Sequence, residues 1–176
     1  MVKKLKVRRN RHYAVPGFPI PIPVRVDNAV PTYMSGIFKF TESCLYEFDD
    51  DDQYDYNKLF GFSIGYHHNN SFRFAWRPNE SIDKIEVASY SYINGERTQS
   101  IPLLEVETNK WYYYTIYYDP IELKVYYTVN DITVVEDVSQ LNKTSGWGYT
   151  TRLYFGGNKR APHKIIVYKK RKNLLY

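Results

Sequence analysis

From residue 35 onward, apolar and polar positions alternate with the period of a pleated strand. Phe72, Phe74 and Trp76 fall on one side, with Ser71, Arg73 and Arg77 on the other. Ile85 and Val87 alternate in the same way with Glu86 and Ala88. This pattern predicts strands over 36–40, 59–66, 72–76, 85–92, 111–118, 123–129, 132–135, 153–155 and 165–168. Between them lie turn signals: His67-His68-Asn69-Asn70-Ser71, Asn94-Gly95, Asp119-Pro120 and Asn130-Asp131. Asn-Gly suits a tight hairpin because both residues tolerate positive φ. Residues 141–149 read as loop, and no segment sustains an apolar repeat at i, i+3, i+4 and i+7. Short strands with regular turns predict an all-β, two-sheet antiparallel jelly-roll sandwich.

The first 31 residues break the pattern. Pro16, Pro19, Pro21, Pro23 and Pro31 fix φ and remove amide donors, so this stretch is extended and is no central strand. Ile20, Ile22, Val24 and Val26 are nonetheless apolar and evenly spaced, as if laid against an apolar surface. Lys3, Lys4, Lys6, Arg8, Arg9 and Arg11 make six of the first eleven residues basic. The expected organisation is therefore a basic, proline-rich N-terminal arm over 1–31 and a β-sandwich domain over 32–176. The arm would dock on its own domain, on a copy of itself or on a neighbouring protein, with Lys3, Lys4, Lys6, Arg8, Arg9, Arg11, Ile20, Ile22 and Val24 as assembly contacts. A basic arm also suits nucleic acid, against the plainer reading of a solvated tail.

Composition sharpens this. The chain of 176 residues is long enough for one substantial core. It holds 19 Tyr, 9 Phe and 3 Trp, residue types that fit half-buried pleated surfaces. Cys44 is the single cysteine, which excludes an intrachain disulfide and a thiolate zinc site within one chain. No run of 18 apolar residues predicts a membrane-spanning helix. The basic start lacks the apolar segment of a secretory signal.

Three features carry a resemblance: the aromatic strand Trp111-Tyr-Tyr-Tyr-Thr-Ile, its partner Lys124-Val-Tyr-Tyr-Thr-Val-Asn-Asp, and Leu153-Tyr-Phe-Gly-Gly before the last strand. In this order, over roughly residues 36–170, they resemble the concanavalin A-like lectin and laminin-G-like jelly rolls. The strings Asn57-Lys-Leu-Phe-Gly-Phe-Ser-Ile-Gly-Tyr-His-His, Ile93-Asn-Gly-Glu-Arg and Phe155-Gly-Gly-Asn-Lys-Arg-Ala-Pro-His are also similar to small proteins of gut Bacteroidetes and their crAss-like tailed phages. That resemblance implies a virion component, made in the host cytoplasm and partnered by other virion proteins.

Candidate chemistry is sparse. Hydrolysis on such a sandwich needs two carboxylates on one strand face. Glu80, Asp83 and Glu86 are spaced by three, so neighbouring members face opposite sides, and no catalytic residue is assigned. Asp49 and Asp51, in the run Asp49–Asp52, are weak calcium candidates, for the segment lacks the glycine of a calcium loop. The alternative is an acidic loop facing the basic arm. His67 and His163 are weak metal candidates should their turns meet, with ordinary hydrogen bonding as the alternative. Gly156-Gly157 has no helix after it and reads as a bulge or close backbone approach rather than a phosphate loop. Trp76, Trp147, Tyr149 and Tyr154, near loops or on outer faces, are candidate glycan contacts, because aromatic rings with polar tips suit sugars. The sequence thus predicts a non-catalytic virion structural protein docked by its arm. A carbohydrate-binding module recognising host surface glycans is the alternative, and no cofactor is assigned.

Overall fold

The structure, a computed structural model, describes residues 1–15, 32–141 and 146–170. Two antiparallel sheets pack face to face. The larger holds β1 (Val2–Val7), β2 (Ala14–Val15), β3 (Tyr33–Phe40), β9 (Tyr112–Asp119), β10 (Lys124–Val129), β11 (Ile132–Asp137) and β13 (Ile165–Lys170). Their order is β11-β10-β9-β3-β13-β1-β2. The smaller runs β12-β4-β5-β6-β7, from β4 (Asn57–Ile64), β5 (Ser71–Pro78), β6 (Ile85–Ile93), β7 (Glu96–Arg97) and β12 (Gly148–Thr151). A further strand, β8 (Pro102–Val106), also pairs with β6. This is the expected all-β jelly-roll sandwich.

The alternation explains the packing. Phe72, Phe74 and Trp76 on β5 all point into the core and are fully buried. Phe74 meets Tyr114 of β9 and Tyr127 of β10 edge-on, with ring centroids 5.9 and 5.6 Å apart, so aromatic contacts bridge the two layers. Many tyrosines thus serve as core residues. Tyr127 satisfies its hydroxyl against Ser91 Oγ at 2.6 Å, and Ser91 lies within the same distance of the buried Glu136 carboxylate. The Asn94-Gly95 turn has both residues at positive φ, 54° and 94°, as the sequence predicts. At Gly156 an added Cβ would lie 2.4 Å from the Tyr56 carbonyl, the close approach expected there.

The N-terminal segment departs from expectation. Residues 2–7 form no free arm. They pair with β13 residue for residue, from Val2 opposite Lys170 to Val7 opposite Ile165. The physical reason is a short alternation masked by charge: Val7 is fully buried and Leu5 packs against the core, whereas Lys4 and Lys6 pair on the other parity. Lys4 Nζ lies 5.6 Å from the centre of the Tyr168 ring. Arg8, Arg9 and Arg11 occupy the turn that follows, where the Arg11 amide donates to the Arg8 carbonyl at 3.2 Å. A boundary at residue 31 therefore does not separate arm from sandwich. Ile20, Ile22 and Val24 lie outside the described residues.

Two smaller differences bear on the site. The segment expected to be loop over 141–149 ends in strand β12, which pairs with β4 from Gly148 opposite Ile64 to Thr151 opposite Gly61. Conversely, the strand expected over 153–155 reduces to bridges at Tyr154, to Tyr13 and to Lys58. Among the described residues, no helix is long and apolar enough to cross a membrane.

Candidate functional site

The side of the six-stranded sheet turned away from the core carries an unusual set of side chains. Register places them in rows. Tyr149 of β12, Ser63 of β4, Ser71 of β5, Tyr92 of β6 and Arg97 of β7 form one row. Thr151, Gly61, Arg73 and Tyr90 form the next. Lys58, Ala75 and Ala88 follow, then Arg77 with Glu86. A sheet face that met only water would leave such residues exposed. Here Arg73, Tyr90, Tyr149 and Thr151 are largely buried among their neighbours.

Cations and phenol rings interleave. Lys58 Nζ lies 4.9 Å from the centre of the Tyr90 ring and 5.7 Å from that of Tyr154. Arg97 lies over the same Tyr90 ring at 4.8 Å, and Arg77 over Tyr56 at 4.4 Å. Cation–ring contacts of this kind stabilise by roughly 0.5–2 kcal/mol each. Glu86 is held by Arg77 at 3.0 Å and by the Tyr56 hydroxyl, so this carboxylate is already committed. Lys58 itself is fixed by reciprocal backbone bonds to Tyr154, both at 2.9 Å.

Arg73 is the most constrained cation. It is only 8% exposed, and its Nη2 donates to the Arg152 carbonyl at 3.2 Å. Its Nε has no hydrogen-bond partner, nor does the buried Thr151 hydroxyl in the same row. Burial pushes the guanidinium down to about 10, against the pull of the surrounding tyrosines Tyr90, Tyr149, Tyr92 and Tyr154. Burial likewise pushes the Lys58 ammonium down to about 8, aided by the like charges of Arg73 and Arg97. Beside Tyr56, Arg77 and Arg97, a groove of about 520 Å³ extends the face, lined also by Ser100, whose buried hydroxyl is unpartnered.

At the β12 edge, Trp147 is 52% exposed and stacks on Tyr149 with centroids 6.0 Å apart. The Tyr149 hydroxyl accepts the His67 amide at 3.1 Å and shares a hydrogen bond with His67 Nδ1. Burial lowers His67 to about 4, with His68 and Arg73 adding to the effect, so its imidazole is neutral at pH 7. His68 packs edge-on against Tyr92 at 5.5 Å, closing this end.

The four aromatic candidates separate. Trp147 and Tyr149 stand together on this face, and Tyr154 sits beside Lys58 with His12 stacked on its ring at 5.3 Å. Trp76 does not join them: it is fully buried in the core against Phe40, because its parity on β5 is that of Phe72 and Phe74. The metal candidates are not brought together. Asp49 lies 3.7 Å from Lys159, which also pairs with Asp50, while Asp51 opens a short 3-10 turn. The acidic loop thus faces Lys159 rather than the basic N-terminal segment. His163 bonds the Ser43 carbonyl at 2.9 Å, apart from the His67 turn. Among the described residues, no three His, Cys, Asp or Glu side chains are grouped to hold a metal ion. Sequence reasoning missed Lys58, Arg73, Tyr90, Tyr92 and Arg97. The available signal was the polar parity of β5 and β6, where Arg73 and Tyr90 occupy positions opposite in phase to the core residues.

Comparison with known proteins supports the fold. No family model and no curated protein matches the sequence. Among solved structures, the chain is similar to alginate lyase A1-II′, a member of polysaccharide lyase family 7. The TM-score is 0.52 at 12% identity, over 81% of this chain and 62% of that one. A doubly substituted form of a family 7 alginate lyase A1-II′ in complex with substrate matches with a TM-score of 0.51 at 11% identity, over 82% and 62%. A heptameric SAP-like pentraxin from Limulus polyphemus matches with a TM-score of 0.49 at 10% identity, over 95% and 66%. This chain spans about three-fifths of the length of the lyases. At such identities the likeness speaks for the jelly roll alone.

Proposed function

We propose that the chain is a non-catalytic carbohydrate-binding module that holds a glycan along the outer face of its six-stranded sheet. The observation that carries this is the exposed Trp147 stacked on Tyr149 and linked through His67 and His68 to the half-buried Tyr92, with Tyr56 beside a groove farther along the same face. Sugars present apolar ring faces edged with hydroxyls, and tyrosine offers a ring and a hydroxyl together. An open, elongated face suits a chain rather than a compact ligand. Alginate lyases that share the fold act on a polysaccharide, but the reading rests on the face itself.

The assembly reading, a virion component docked through its arm, draws its support from the segment 1–31. The basic part of that segment is strand β1 and its turn, which leaves residues 16–31 to carry it. The sheet face therefore favours glycan recognition.

The test is a glycan array followed by calorimetry on the strongest hits. Trp147→Ala and Tyr92→Ala should each weaken binding about tenfold, a loss near 1.4 kcal/mol, with unchanged circular dichroism. Trp76→Phe should lower the melting temperature and leave the affinity alone. Absence of any glycan above background would reject the module. Shortening of a bound glycan on prolonged incubation would reject its non-catalytic character.

A further inference from the structure

Three cations of the sheet face, Lys58, Arg73 and Arg97, form no ion pair among the described residues. Tyr90 is the centre of the arrangement: Lys58 and Arg97 lie over its ring at 4.9 and 4.8 Å, and Arg73 is its register partner on β5. Among the described residues, no carboxylate lies within ion-pair distance of Lys58, Arg73 or Arg97. Glu86, on the same face, belongs to Arg77. Arg73 leaves Nε unbonded although nearly the whole residue is buried. Placing like charges together in a partly desolvated site is unfavourable unless something neutralises them.

From this arrangement we infer that the glycan held on this face is acidic, with a carboxylate on its sugars paired with Arg97 and Lys58, the two cations that cover the Tyr90 ring. This rests on the carbohydrate-binding reading and adds the class of ligand. The roles divide by depth. Arg97 is exposed and Lys58 partly so, so these two make the contact. Arg73 lies too deep to meet the ligand first, and its positive field acts from the neighbouring strand. A neutral sugar could use the same aromatic rings but would leave Arg73 and Arg97 without an ion pair and Lys58 with only the more distant Asp55. A carboxylate relieves their mutual repulsion and accepts charge-assisted hydrogen bonds.

The Lys58 ammonium provides an internal reporter. The groups that face it are Arg73 on β5, Tyr90 on β6, Arg97 on β7, Tyr154, and Asp55 just before its own strand. Its free-state value is depressed to about 8. An anion bound beside it favours the charged form, so affinity should be full below pH 8 and fall as the pH rises past it.

Calorimetry on the full chain with polygalacturonate, hyaluronan and alginate, each beside its carboxyl-reduced uncharged form, tests the inference. At least one acidic form should bind ten or more times tighter than its reduced counterpart. That ratio should shrink toward one in Lys58→Met and in Arg97→Met, and it should weaken from pH 7 to pH 9 in the wild type but not in Lys58→Met. Arg73→Lys, which keeps the charge, should retain more of the ratio than Arg73→Met. Melting curves establish that each variant is folded, and the two surface variants serve alone if Arg73→Met is not. Equal binding of acidic and reduced chains would overturn the inference while leaving a glycan-binding module in place. Dextran sulfate binding as tightly as the carboxylated chains would overturn the carboxylate assignment. No binding of any form, neutral chains included, would overturn both.

Discussion

Gly61 and Arg73 stand directly opposite one another on the antiparallel strands β4 and β5, and a Cβ added to Gly61 would lie 2.8 Å from Cγ of Arg73. The same Cβ would come within 2.0 Å of the Phe72 carbonyl oxygen and 2.5 Å of the Arg73 Cα. The register of β4 against β5 shifts between Lys58 and Gly61, so this close contact lies at the irregular step of the pairing. Backbone cannot move aside as a flexible side chain can. Gly61→Ala should therefore cost about 2–3 kcal/mol, a fall in melting temperature of roughly 5–10 °C. Thermal denaturation followed by circular dichroism measures it. An unchanged melting temperature would show that β4 and β5 part freely.

Strand β1 is part of the sandwich, and its removal should show this. Deleting residues 1–7 would expose the backbone of β13 along a six-residue pairing and uncover the core beside Val7. Unpaired edges invite association between copies. The truncated chain should melt at a markedly lower temperature and aggregate. Val7→Ala should cost about 2 kcal/mol by lost burial and the cavity it leaves. A truncated chain as stable and monodisperse as the full one would mean that β1 contributes nothing to the fold.

His67 couples stability to pH. Its imidazole titrates near pH 4 in the folded chain, because burial and neighbouring positive charge oppose protonation, against about 6.5 when free. Between these values the unfolded chain binds more protons, so stability falls as pH drops from about 6.5 toward 4. Above 6.5 the group has no effect. His67→Gln should remove this part of the decline. Melting temperatures from pH 7.5 to 4 for both proteins should diverge within that window. Parallel curves would show that His67 does not carry the effect.

The strands of the core were legible because burial on one face writes an alternation into the sequence. Phe72, Phe74 and Trp76, or Ile85 and Val87, can be read directly, and Asn94-Gly95 marks its turn through backbone sterics. Strand β1 escaped because lysines hold three of its six positions, Lys3 on the parity of Leu5 and Val7 among them, so that only those two residues declare the inner face. Strand β12 escaped because Gly148 and two threonines give no apolar alternation. The site was half legible. Nearness to a loop points to Trp147 and Tyr149, whereas the same criterion misplaces Trp76, whose parity is that of the buried Phe72 and Phe74. Arg73, Lys58 and Tyr90 lie far apart in the sequence and become neighbours only through the registers of β4, β5 and β6, which no local pattern encodes.

The pairing of Val2–Val7 with Ile165–Lys170 also governs how the molecule is made. As the chain leaves the ribosome, the first strand emerges long before the partner it needs. Its short partner β2 follows at once, but the edge that meets β13 must wait open while almost the whole sandwich is synthesised, and contacts so far apart in sequence form slowly. Lys3, Lys4 and Lys6 make that waiting strand a poor template for another chain, as charge on an exposed edge does. The lysines of β1 thus guard a nascent strand until β13 arrives to cover it.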